Sequence, residues 1–221
     1  MEGEAAHHLG RVLRAQPGQL YELSDGERVW LGRIESAARD RIEFSLVEAL
    51  PAVMPVLETT LLLSIVKFDS FEWALEKATE LGVSRIVPLA AERSEKALVA
   101  AAGKRAGRWK KLLLEASQQC RRVRLPALAE AGDPQSAFAV ERNELKLMLS
   151  EKADVPPMRS VLAGKRAKSA SLAIGPEGGW TDRELAMAQR AGFEQVSMGQ
   201  LILRTETAVV AALAGLNYAL G

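Results

Sequence analysis

A chain of 221 residues, 48% of them apolar, can bury a sizeable core as one large domain or as two unequal ones. No apolar run is long enough to cross a bilayer, and the first ten residues carry Glu2, Glu4, His7 and His8 in place of a hydrophobic signal region, which predicts a cytoplasmic protein without a membrane partner. Cys120 is the single cysteine, so an intrachain disulfide framework and a thiolate metal site are both excluded, and a net charge of +1 says little until it is resolved locally.

Residues 20–23 and 28–34 have the character of short strands, joined through Asp25-Gly26, a pair suited to the positive φ of a hairpin turn. Ile42, Phe44 and Leu46 alternate with polar neighbours as a half-buried strand does. Together they suggest a small β domain built as a barrel, and Pro51 and Pro55 mark the linker behind it. From Leu61 onward apolar strands alternate with amphipathic helices. The strand at 61–66 precedes a helix that puts Phe71, Ala74, Leu75, Ala78 and Leu81 on one face and ends at Gly82. After a strand at 86–89, a second helix aligns Trp109, Leu112, Leu113, Ala116 and Cys120. Further strands are expected at Leu145–Leu149, 171–174 and 195–198, with a capping box at Thr181 and Glu184 and a closing buried helix over Thr205–Leu220. Strict alternation of strand and helix argues for a parallel α/β sheet covered on both faces.

Charge is distributed unevenly. Acidic residues dominate the first sixty positions, whereas Lys104, Arg105, Arg108, Lys110, Lys111, Arg121, Arg122 and Arg124 are opposed within their own run only by Glu115. Such a run is either a solvated helix face or a phosphate-contacting surface. His7 and His8 are adjacent and cannot share one face of a helix or strand, so no metal is expected there. Cys120 lies on the apolar stripe of its helix and reads as a packed thiol, and Trp73 and Trp109 read as core packing.

No G-x-G-x-x-G or P-loop pattern is present. Instead the last fifty residues hold Ile174-Gly175-Pro176-Glu177-Gly178-Gly179-Trp180 and Met198-Gly199-Gln200-Leu201-Ile202-Leu203-Arg204-Thr205-Glu206-Thr207-Ala208, each following an apolar run and leading into a helix. Glycine lets main-chain groups approach a ligand closely, so two such turns describe a small-molecule cleft with Arg204 and Glu206 on its rim.

Five segments, Ala6 through Arg14, Lys77 through Val83, Glu115 through Arg122 with Pro126, Ile174 through Gly179, and Leu203 through Ala208, together resemble the RsmE-type 16S ribosomal RNA (uracil-N3)-methyltransferases, in order and over nearly the whole chain. The resemblance implies a PUA-like β-barrel domain for RNA binding over residues 1–55. A SPOUT-type parallel sheet with a C-terminal trefoil knot would follow over 56–221, working as a homodimer with S-adenosylmethionine. Cofactor contacts carry over to Leu149, to Ile174, Gly175, Pro176, Glu177 and Gly178, to Met198, Gly199, Leu201, Ile202 and Leu203, and to Ala208. Departures from the family pattern fall at Arg121, where glycine is usual, and at Ser70, where a basic residue is usual.

The implied substrate is 16S rRNA within the 30S subunit, with the target base exposed because N3 is buried in pairing inside a duplex. Uracil N3 attacks only as its proton leaves, so a cation stabilising the developing anion is needed; Arg204 is the candidate, with Glu206 as proton acceptor or helix cap and Arg122 as a second cation near the base. Arg11, Arg14, Arg33, Arg93, Arg108, Lys111 and Arg124 are expected to hold phosphates. A SPOUT enzyme acting on tRNA, and a catalytically silent RNA-binding or assembly protein, remain open as alternatives.

Overall fold

The computed structural model describes residues 1–12, 14–38, 40–52, 54–152 and 154–221, so Leu13 of the histidine-bearing segment lies outside the described residues. The chain divides into two compact units, Met1–Met54 and Pro55–Gly221.

In the first unit a short helix α1 (Glu4–His7) and a single π turn (His8–Val12) precede β1 (Leu20–Ser24), β2 (Val29–Ala37) and β3 (Ile42–Leu50). The alternating pattern suggests a barrel; the described residues form a three-stranded antiparallel sheet in the order β1-β2-β3, with Ala6, Ala15, Ile34 and Ile42 as its buried centre. Alternation continues only partway along β3: Ile42 is buried and Phe44 half-buried, but Leu46 is 59% exposed. The Asp25-Gly26 turn forms as a four-residue connection between the paired Ser24 and Val29, with Gly26 at φ 92° and the Asp25 carboxylate accepting from the N–H groups of Glu27 and Arg28. Gly32 sits at a register shift where a Cβ would collide with Leu23.

The second unit is a six-stranded parallel sheet. It is built from β4 (Glu58–Ser64), β5 (Arg85–Leu89), β6 (Ala127–Leu128), β7 (Leu145–Leu149), β8 (Ser169–Ile174) and β9 (Glu194–Val196), in the order β6-β5-β4-β8-β7-β9. Helices α2 (Phe68–Glu80), α3 (Lys96–Gln119), α5 (Met158–Leu162) and α7 (Thr205–Leu220) contribute to one core with Leu61, Leu63, Leu147 and Leu172. Helices α4 (Pro134–Val140) and α6 (Asp182–Arg190) belong with Leu62, Val87, Met148 and Ala173 to the other. Successive residues Leu61, Leu62 and Leu63 thus feed opposite cores, the pattern of a strand buried on both faces.

Sequence periodicity locates α2, α3, β7 and α7 well, but β6, α4 and α5 are missed because two, seven and five residues carry too little period. The start of α4 has a readable sign: Asp133 at the N-cap accepts from Ser136 N–H at 2.9 Å, and Pro134 follows. Trp109 is buried as expected, whereas Trp73 is 43% exposed and carries Lys77 over its ring, because its position on α2 faces away from the sheet core. Cys120 is half-buried at the end of α3.

Helices α2 and α3 end in the same hydrogen-bonding motif. After α2, Gly82 takes φ 88°, Val83 N–H reaches Ala78 O and Gly82 N–H reaches Thr79 O. After α3, Arg122 N–H reaches Ser117 O and Arg121 N–H reaches Gln118 O, which places Arg121 at φ 58°, a left-handed conformation that costs a side-chain-bearing residue about 1–2 kcal/mol. The left-handed Arg121 therefore stores strain. Arg121→Gly is expected to raise stability by about 1 kcal/mol, read as a higher denaturant midpoint with an unchanged slope; an unchanged or lower midpoint would show that contacts of the arginine side chain offset the strain.

Candidate active site

The carboxyl ends of β7, β8 and β9 converge, the position at which open parallel sheets hold ligands. β8 ends at Ile174, and the chain turns at once through Pro176 to Gly179, closed by Gly179 N–H to Pro176 O at 2.8 Å with Gly179 at φ 68°. A Cβ on Gly175 would lie 3.1 Å from both Cε2 and Nε1 of Trp180. The indole thus packs on bare main chain, and its Nε1 donates to Leu149 O at 3.0 Å, joining the end of β7 to the turn after β8. Thr205 Oγ1, at the start of α7, donates to Gly175 O at 3.3 Å and adds a third element to the junction.

A second layer fixes the wall beyond this turn. Glu184, buried on α6, accepts from Thr181 N–H and Oγ1 with one carboxylate oxygen and from Glu92 N–H with the other, at 2.8, 3.0 and 2.9 Å. The loop after β5 is thereby anchored beside the turn, and there Arg93 Nη1 donates to Gly178 O at 2.7 Å. The stem of Arg93 lies close enough that a Cβ on Gly178 would meet it at 3.3 Å. At the mouth, Lys152 pairs with Asp182 at 2.8 Å, and that ammonium holds the Asp182 carboxyl below the usual carboxylate range.

These pieces enclose a cavity of about 560 Å³. Leu149 lines it from β7, Ile174 to Gly178 from the β8 turn, Met198, Gly199, Leu201, Ile202 and Leu203 from the β9 loop, and Ala208 from α7. The whole set named from the sequence for a cofactor therefore surrounds one space. Leu201 and Ile202 are 83% and 77% exposed, a bare apolar lip that a ligand would cover. Main-chain amides on one wall and aliphatic side chains on another suit a flat molecule with a polar edge. No grouping of three or more metal-ligating side chains occurs among the described residues.

The three nominated catalytic side chains are not together. Arg204 lines the cavity from the N-cap of α7 and is exposed. Glu206, half-buried in the first turn of α7, is not among the lining residues, and no ion pair joins it to Arg204 among the described residues. Arg122 is elsewhere: Nη1 donates to Thr79 O and Val83 O, each at 2.8 Å, and Nε to Arg124 O at 3.1 Å. Burial lowers the pKa of this guanidinium, which serves the orphan carbonyls at the end of α2.

Of the cations nominated for phosphates, Arg93 lines the cavity, and Arg11, Arg14, Arg33, Lys111 and Arg124 are exposed. Arg108 Nε donates to Glu72 at 2.8 Å, with Arg105 at 3.4 Å from the same carboxylate and over the Phe68 ring. Glu72, on α2, is the counter-charge that a reading confined to the basic run overlooks. Sequence reasoning also misses Trp180, Glu184 and Thr205 as parts of the site, although the capping box around Glu184 is visible and only its second contact, to Glu92, is not.

Residues 53–217 match the RNA methyltransferase domain family, and residues 2–47 match the RNA methyltransferase PUA domain. The chain is 33% identical to the ribosomal RNA small subunit methyltransferase E of Synechocystis, over 96% of this chain and 70% of that protein. It is 30% identical to the Aquifex aeolicus protein of the same name, over 95% and 89%. This chain belongs to the ribosomal RNA small subunit methyltransferase E family. A Neisseria gonorrhoeae structure of that name, bound to S-adenosyl methionine, superposes with a TM-score of 0.90 at 30% identity, covering 100% of this chain and 91% of its own. A Legionella pneumophila methyltransferase with the bound cofactor SAM gives 0.86 at 30% identity, over 98% and 89%.

The two glycines that shape the cleft of this family member differ in what stands against them. Gly175→Ala presses at 3.1 Å on a buried, hydrogen-bonded indole, whereas Gly178→Ala meets the aliphatic stem of the exposed Arg93 at 3.3 Å. Gly175→Ala is expected to cost about 1–3 kcal/mol and to shift tryptophan emission, with Gly178→Ala costing clearly less in the same thermal melt; equal costs would contradict this ranking.

Proposed function

We propose that this chain methylates N3 of a specific uridine in 16S rRNA of the small ribosomal subunit, with S-adenosylmethionine as donor. The observation that carries the reading is the single cavity formed by the turns after β8 and β9, with Arg204 at its mouth. The family name of the relatives and the S-adenosyl methionine held by the Neisseria relative support it.

The cavity fits the donor on its own chemistry. Ile174 to Gly178 line one side of the cavity, where main-chain groups could bond an adenine edge. Leu201, Ile202 and Leu203 supply apolar cover for a purine face. When bound, the donor supplies a methyl group on a cationic sulfur, electrophilic without any metal. The protein then has two tasks: holding the acceptor nitrogen in line, and stabilising the negative charge that uracil gains as N3 loses its proton. Arg204 serves the second task from a helix N-terminus, where the local potential is already positive and favours an anion.

The same proposal makes residues 1–55 an RNA-binding domain, with Arg11, Arg14 and Arg33 as exposed cations that add phosphate affinity rather than sequence choice. It also includes a homodimer, for which the 95% exposed Tyr218 on α7 offers apolar surface, and the threading of the C-terminal segment as a trefoil knot. Arg122 enters it as a structural cap on α2.

Small subunits from cells lacking the enzyme are expected to accept one methyl group that nuclease digestion and mass spectrometry place on N3 of uridine. With Arg204→Ala, turnover should fall on the order of 10²–10³-fold while calorimetry shows cofactor binding preserved. Near-normal turnover would remove Arg204 from the mechanism, and label found on tRNA or on a ribose hydroxyl would replace the proposed acceptor.

A further inference from the structure

Beside the main cavity lies a second space of about 330 Å³ at the carboxyl ends of β4 and β5. Val66, Lys67, Glu95 and Leu98 line it, and Arg93, Glu177 and Gly178 are shared with the main cavity. The two spaces therefore adjoin across one wall. Among the described residues Glu177 is the one carboxylate that lines both, and it is exposed. Lys67 and Glu95 stand at the N-caps of α2 and α3, and neither side chain caps its helix, so both are available to a ligand. Arg93 uses Nη1 on Gly178 O, which fixes its stem against the shared wall and keeps the charge at the boundary.

Resting on the methyltransferase reading above, we propose that this side space receives the acceptor nucleotide and that Glu177 takes the N3 proton. Lys67 and Arg93 provide cations for the nucleotide's phosphate, Glu95 an acceptor for a ribose hydroxyl, and Val66 and Leu98 an apolar wall for the base. The base edge then reaches the main cavity past Glu177. The N3 proton passes to a carboxylate oxygen of Glu177, the electron pair of the N–H bond stays on N3, and the proton leaves from the carboxyl group to water. Arg204, in the main cavity, stabilises the resulting uracil anion from the other side of the junction. Glu206, outside both linings, does not serve as the acceptor.

Wild-type enzyme is first shown to bind S-adenosylmethionine by calorimetry and to methylate unmarked small subunits; failure at this step defeats the methyltransferase reading itself. With that in hand, Lys67→Ala should weaken subunit binding about tenfold and reduce the slope of log affinity against log salt by about one, with cofactor binding unchanged. Glu177→Gln, assayed at saturating S-adenosylmethionine because Glu177 also lines the main cavity, should lower kcat on the order of 10²–10⁴-fold. Its residual rate should climb about tenfold per pH unit through the mildly alkaline range, because only uracil already ionised reacts. An unaltered salt slope in Lys67→Ala overturns the phosphate assignment. A wild-type pH profile in Glu177→Gln at saturating cofactor, or a kcat that stays near wild type, overturns the proton assignment.

Discussion

The cleft depends on the packing of one indole against one glycine. Trp180 donates to Leu149 O with its ring packed where a side chain on Gly175 would crowd it, and Gly175 O in turn accepts from Thr205. Those contacts tie the end of β7, the turn after β8 and the start of α7 at a single point, each of them supplying wall to the cavity. Two neutral hydrogen bonds of roughly 0.5–1.5 kcal/mol net each would not hold three elements rigid unaided. The packed ring, buried with Phe138 in the second core, adds the apolar area that makes the junction a rigid corner. A cleft walled on one side by a main-chain turn needs such a corner, because main-chain groups cannot adjust by changing rotamer.

Charge in the second unit is sorted by the same logic. Glu72 is buried and would be costly alone, so Arg105 and Arg108 converge on it, and the Arg108 guanidinium has its pKa raised by that carboxylate. Arg122 is buried against carbonyls at the end of α2. Glu141, also buried, accepts from Arg85 and from Ser171, whose hydroxyl also accepts from Asn143, so the opposite edge of the sheet is closed by a satisfied polar network. Three arginines of the basic run are thereby spent on structure. At the carboxyl edge Lys67, Arg93 and Arg204 line the cavities, together with Lys152, which is paired with Asp182.

What the sequence made legible follows from the range of each interaction. Local signals, such as the period of α2, the capping box at Thr181 and the glycine turn after β8, locate elements to within a few residues because their causes lie within a few residues. The twelve cleft residues were legible for a related reason: two short glycine-bearing segments supply all of them but Leu149. Contacts between distant segments were not. Arg122 is 43 positions from Thr79, and Arg108 is 36 from Glu72, and nothing in the basic run announces either partner. Arg121 shows the converse. Its place just past the end of α3 can be read from the helix period, but only the φ of 58° shows that it holds a conformation that favours glycine.

Arg204 occupies a position that runs against the ordinary electrostatics of a helix. A cation at the N-terminus of a sixteen-residue helix faces the positive end of the dipole, where acidic residues are usually favoured. Glu206 in the first turn offsets part of that potential but forms no ion pair with Arg204, and no acidic side chain is paired with the guanidinium among the described residues. The apolar lip of Leu201 and Ile202 beside it lowers the local dielectric once a ligand covers it, which strengthens whatever charge Arg204 meets there. Arg204 is exposed, so water solvates its charge until something displaces that water. Under the proposed function the displacing group is a base that turns anionic as it loses its proton, and an interaction realised only at that stage accelerates a reaction instead of merely tightening binding.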